Sequence, residues 1–138
     1  MSPGGYIEMQ DTDFPIHCDD GTMLEDSALS RWGNMIADAA RSIGYDLVAR
    51  KYKQLMLDAG FVDVQEFRFV WPQNTWPADN FLKELGRWNL ANNLEGLEAY
   101  SMALMTRVLG MTLDEAQLML VDVRKDMKDR TMHAYWPM

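Results

Sequence analysis

The chain has 138 residues, with 21 acidic against 13 basic side chains and a formal charge of -8. Its length suits one ordinary domain, residues 1–138, and its 48% apolar content is that of a globular chain rather than a disordered one. An acidic surface with no basic stripe argues against nucleic-acid binding through phosphates, no apolar run approaches the roughly 18 residues of a membrane helix, and the single cysteine, Cys18, leaves no intramolecular disulfide.

The lone thiol suits a reducing compartment, so a cytoplasmic or nuclear location is expected. The N-terminus shows no secretory pattern, because it opens on a turn and an acidic stretch. The turn is Pro3-Gly4-Gly5. Tyr6, Ile7 and Met9 then read as a short strand that ends among Glu8, Gln10, Asp11 and Asp13. A strand opening on glycines and ending in carboxylates fits an α/β sheet, where ligands gather at the carboxyl ends of strands. A plain edge strand with a solvated acidic end fits the same ten residues.

Pro15 breaks the pattern that follows, and Asp19-Asp20-Gly21 is a turn. His17 and Cys18 are adjacent, but no second ligand pair stands at metal spacing, so no metal is expected. The terminal glutamate of a calcium loop is absent as well. A helix is predicted from Glu25 or Ser27, with Leu29, Trp32, Met35, Ile36 and Ile43 at helical spacing and Gly44 closing it. Asp46 is placed to cap a second helix carrying Leu47, Val48, Leu55 and Met56, which Gly60 ends. Phe61–Val70 reads as a strand with apolar residues of both parities, and Trp71-Pro72 ends it.

Gln73–Pro77 is a loop with indoles close by at Trp71 and Trp76; such a loop either covers a ligand or anchors itself on its own core. Phe81–Leu90 is predicted as a short helix, and Asn93 as the cap of the next, Leu94–Leu109. Thr112-Leu113-Asp114-Glu115 is a capping box that opens a helix running towards Asp129. The tail from His133 to Met138 is aromatic and extended. The chain has 12 methionines, and those in helical text, such as Met102, Met105 and Met127, are expected to fill core gaps. Two strands and about five helices cannot cover both faces of a doubly wound sheet, so the pattern reads as a section of a larger fold.

Four segments carry a resemblance: GGYIEMQD at 4–11, AGFVDVQE at 59–66, LGRWNLANNLEGLEAYSMALMTRVLGMT at 85–112 and VRKDMKDRTMHAYWP at 123–137. On these the chain resembles the C-terminal half of a fungal class I S-adenosylmethionine-dependent methyltransferase of the LaeA-like, or UMTA-like, family. The resemblance implies an α/β fold that is part of a Rossmann-like sheet. Residues 6–10 would be its fifth strand and Phe61–Phe69 its sixth, with acceptor-side helices between them. The first half and most of the last strand would be missing, along with the glycine-rich loop that holds the methyl donor. No bound cofactor is therefore expected of this chain alone.

By the same resemblance the acceptor side of a small-molecule methyltransferase of secondary metabolism would lie at the end of the first strand. Catalytic candidates are His17, Asp13 and Glu8, with His17 as the base because its ordinary pKa lies near neutrality. Asp11, Trp71, Asn74 and Trp76 are the substrate-binding candidates. An isomerase or cyclase using this pocket, and a non-catalytic regulatory fragment, are the alternatives. The resemblance also implies docking to velvet-type regulators, for which Leu97, Leu104, Met105 and Val108 form a candidate surface. Unpaired strand edges lead to the expectation of a homo-oligomer, or of a partner protein that completes the sheet.

Overall fold

The computed structural model describes residues 4–45 and 47–138. The expected contributions of Pro3 to the first turn and of Asp46 as a helix cap lie outside these residues. The first regular element is α1, Ala28–Ser42. Two acceptors hold its first turn: Ser27 Oγ receives the amide of Ser30 at 3.3 Å, and Asp126 receives that of Leu29 at 3.0 Å. Leu29, Trp32 and Ile36 recur on its inner face and are buried. Each such side chain contributes about 1.5–3 kcal/mol by leaving water.

A 3-10 turn at Ala49–Lys51 runs directly into α2, Tyr52–Asp58. The strand β1 is only Val70–Pro72, and β2 is Tyr135–Pro137. They pair antiparallel, with Val70 opposite Pro137, Trp71 opposite Trp136 and Pro72 opposite Tyr135. Backbone bonds between Phe69 and Met138, and from the Gln73 amide to Ala134, extend the pairing at both ends. On the other edge of β2 the Asp13 amide donates to Pro137 at 2.8 Å, and His17 exchanges two 2.9 Å bonds with Tyr135. β2 therefore runs between β1 and the 13–17 segment.

This pairing corrects both strand boundaries. Tyr6–Met9 carries no regular secondary structure, and Tyr6 is 99% exposed. A strand exists only through its neighbours, and among the described residues none pairs with 6–9. Residues 61–69 likewise form no strand, and β1 starts at Val70 because that is where β2 lies alongside. Trp71 and Pro72 belong to the strand instead of ending it. Pro72 is tolerated because the donors to β2 fall on Phe69 and Gln73, so the N–H it lacks would have faced the outer edge; its carbonyl is taken by Asn89 at 2.9 Å.

α3 is one helix, Asn80–Ala103, where two had been expected. Asp79 caps it through the amide of Leu82, and Asn93 lies in its interior. Asparagine is a poor helix former because it competes for backbone bonds. Here Asn89 donates to Pro72, and Asn93 donates to Gln73 and to Asn89, so tertiary partners offset that preference. The helix continues as a π-helical turn, Leu104–Val108. α4, Leu113–Lys128, opens on the expected Thr112–Glu115 box, with both reciprocal bonds formed.

The core gathers Leu29 and Trp32 of α1, Leu97 of α3, Met105, and Leu120 and Met127 of α4. Of the stripe expected to dock a partner, Leu97 and Met105 are fully buried, whereas Leu104 and Val108 are half-buried. Buried Trp32 finds its hydrogen-bond partner in Ser101 at 3.0 Å. The architecture is a small α/β arrangement, an open two-stranded sheet flanked by helices, consistent with part of a Rossmann-like methyltransferase fold.

Candidate functional site

The backbone bonds of Asp13 and His17 to β2 fix the chain that carries the acidic candidates. Phe14 between them packs on Trp32 and Trp136, with ring centroids 5.9 and 5.4 Å apart. With its backbone held and one ring buried, the segment projects a polar group towards the 3-10 turn. Arg50 forms an ion pair with Asp13, and its second guanidinium nitrogen lies 3.5 Å from His17 Nε2. The Tyr52 hydroxyl donates to Asp11, and that bond, followed by burial, raises the hydroxyl's pKa. A guanidinium has no acceptor, so a hydrogen bond across this gap uses His17 Nε2 as the acceptor.

Asp11, Asp13 and His17 are thus brought into one neighbourhood, together with Arg50 and Tyr52. Sequence reading missed the last two. They stand in amphipathic text beside Lys51 and Lys53, and nothing in their spacing separates them from solvated residues. Glu8 is elsewhere: it lies on the exposed 4–11 stretch and accepts from Gln10.

The remaining candidates divide. Trp71 borders a groove with a cavity volume of about 540 Å³, and Asp11 forms part of its wall. Ile36, Ala37 and Ala40 of α1, Tyr100 of α3 and Leu104 of the π-helical turn add to its wall, with Asn89, Asn92 and Asn93 as its amides. Asn74 is buried, and its amide donates to the carbonyls of Met127 at 3.1 Å and Asp129 at 2.9 Å. Its oxygen receives the Trp76 amide, so its hydrogen bonds tie the loop to the end of α4. Trp76 lies on His133, centroids 4.8 Å apart, and its indole N–H donates to Ala134.

A second polar group lies beside that stack. His133 Nδ1 meets Asp20, whose carboxyl is held below the usual carboxylate range, first by the Thr22 hydroxyl and then by His133. The Tyr135 hydroxyl donates to Asp19, and its pKa is raised first by burial and then by that bond. No group of three metal-ligating side chains stands together among the described residues. No described helix is long and apolar enough to cross a membrane.

Over 138 residues the chain is 39% identical to the probable methyltransferase tdiE of Emericella nidulans, covering 99% of this chain and 44% of that protein. It is 39% identical over 141 residues to the secondary metabolism regulator LAE1 of Cochliobolus heterostrophus, covering 98% of this chain and 45% of the relative. It is 33% identical over 135 residues to the methyltransferase pytC of Aspergillus terreus, covering 97% and 42% respectively. The chain is homologous to fungal methyltransferases and regulators of secondary metabolism. It spans less than half the length of these curated relatives. No family model matches it, and no solved structure does.

Proposed function

We propose that the chain is the C-terminal part of a LaeA-like, S-adenosylmethionine-dependent methyltransferase fold and supplies its acceptor side. One observation carries this reading: Asp11 borders the apolar groove and lies two residues from the Asp13–Arg50–His17 group. A groove of this size suits a small molecule, since such sites hold roughly 300–1,000 Å³. His17 is the base in this reading once Arg50, which Asp13 holds against its Nε2, moves off that nitrogen; the pair stands beside the groove and not in its wall. Trp71 contributes a wall. Glu8, Asn74 and Trp76 have no part at the groove in this arrangement.

S-adenosylmethionine supplies an electrophilic methyl group when bound. The residues of this chain do not fit it. The two glycines that approach main chain or a neighbouring loop closely serve the chain's own packing: Gly86 meets the Asn74 carbonyl, and Gly33 meets Pro15. Gly44, Gly60 and Gly110 take positive φ in open space after helical elements. None of them lies in a strand–loop–helix cradle of the dinucleotide-binding kind.

Calorimetric titration of the purified chain with S-adenosylmethionine tests the reading. The expected result is no saturable heat. One-to-one binding at micromolar concentration would overturn the absence of a donor site.

A second reading, assembly, is favoured by the exposure of Phe67, Phe69, Phe81 and Trp88, each more than 60% accessible. Such surface is covered by another protein surface or by a second copy. β2 already pairs with β1, so the completion of the sheet concerns the 4–11 stretch and the outer edges. Light scattering at several concentrations is expected to show association, and a concentration-independent monomer would count against it.

A further inference from the structure

We propose that the groove between α1 and the middle of α3 binds a flat, uncharged aromatic compound bearing an O–H or N–H donor, of the phenol or indole type. The inference rests on the acceptor-side reading of the same groove and names the class of molecule it takes.

The walls select shape first. Phe14, Tyr45, Trp71, Tyr100 and Trp136 all border the cavity, so aromatic rings make up a large share of its wall. Rings prefer offset or edge-on neighbours, and a planar guest satisfies several of these at once. Ile36, Ala37, Ala40, Ile43, Leu47 and Leu104 supply the aliphatic remainder. A flexible polar molecule would lose its hydration here with little in return.

The polar groups select charge. Among the described residues no lysine, arginine or histidine borders the groove, and Asp11 places a carboxylate in its wall. The chain as a whole carries -8. An anionic guest would shed water without finding a cation and would face that carboxylate.

The same groups select a donor on the guest. One Asp11 oxygen accepts from the Thr12 amide at 2.8 Å, and the other accepts from Tyr52. A carboxylate offers about four lone-pair directions, which leaves room for a further donor. Asn89 and Asn93 spend amide protons on Pro72 and Gln73. Asn92 is exposed at the groove and its side-chain amide has no hydrogen-bond partner among the described residues, so it is open to either end of a polar substituent.

The test is calorimetric titration of the chain with 2-naphthol, naphthalene and 2-naphthoate, without any methyl donor. The expected result is one 2-naphthol per chain, with naphthalene and 2-naphthoate each at least tenfold weaker. Leu104→Trp fills the groove and is expected to abolish 2-naphthol binding in a chain whose circular dichroism is unchanged. Asp11→Asn, on the exposed rim, is expected to narrow the gap between naphthol and naphthoate.

Absence of saturable 2-naphthol binding to the folded chain overturns the proposal. So does equal binding of naphthoate, equal binding of naphthalene, or a folded Leu104→Trp that still binds. All of these arms read binding alone. A failed methyl-transfer assay with the donor half supplied would sink the acceptor-side reading and leave them untouched.

Discussion

A Cβ built on Gly86 would lie 2.0 Å from the carbonyl oxygen of Asn74 and 2.7 Å from its carbon. Both atoms are main chain and cannot swing away. α3 therefore touches the 73–76 loop at a residue with no side chain, and the loop in turn holds the end of α4 through Asn74.

Gly86→Ala is accordingly expected to destabilise the chain by about 3 kcal/mol or more, through backbone displacement. Gly96→Ala is the control. A Cβ there meets the ring of Tyr100 at 2.8 Å, and a half-exposed ring can turn aside. Urea melts of the two variants side by side check this: equal midpoints would show that the α3–loop contact is not tight.

Asn74→Ala removes two amide bonds to carbonyls at the α4 terminus and leaves these acceptors without their partner. The expected loss is about 1–3 kcal/mol. Asn74→Asp is expected to cost more, because it sets a buried carboxylate against the same two carbonyls. Thermal melts at neutral pH rank the pair, and an aspartate variant as stable as wild type would contradict the assigned geometry.

Ser27 and Asp126 both serve the first turn of α1, one from the same segment and one from α4. Each replaced by alanine is expected to cost about 0.5–2 kcal/mol. The Asp126 change alone also cuts the tie between α1 and α4. Hydrogen exchange at Leu29 is therefore expected to accelerate in Asp126→Ala and far less in Ser27→Ala.

The Arg50 guanidinium, 3.5 Å from His17 Nε2, can only donate to that nitrogen. Nitrogen chemical shifts of the ring are expected to report the Nδ1–H form in the wild type. Arg50→Met should move the population towards Nε2–H, and Arg50→Lys should restore part of it. An unchanged ring spectrum in Arg50→Met would show that the guanidinium does not position His17.

Acid stability follows from Asp20, Glu115 and Asp129, whose carboxyls are all held below their ordinary values by hydrogen bonds from Thr22, Thr112 and Thr131 respectively. With a folded pKa below the unfolded one, the unfolded chain binds more protons in the window between them. These groups thus contribute stability above about pH 4, and it is lost as pH falls through the folded values. Asp20→Asn is expected to flatten the acid limb of a stability–pH profile without moving the neutral plateau's slope. A profile identical to wild type would remove Asp20 from that account.

The sequence by itself determined what is local. Ser27, the Thr112–Glu115 box and the spacing of Leu29, Trp32 and Ile36 placed α1 and α4 closely, because caps and helical periodicity act within a few residues. The neighbourhood of Asp11, Asp13, His17 and Trp71 was expected only through the resemblance, and the same expectation named Glu8, Asn74 and Trp76, which the fold puts elsewhere.

Only the tertiary structure decided the strands. Residues 6–9 and 61–69 have strand-like composition, yet pairing formed where Tyr135–Pro137 met Val70–Pro72 and the 13–17 segment, since strand bonds come from another part of the chain. Tertiary partners likewise carried α3 through Asn89 and Asn93. The contacts of Arg50 with Asp13 and of Tyr52 with Asp11 span 37 and 41 residues, a separation across which sequence spacing carries no information.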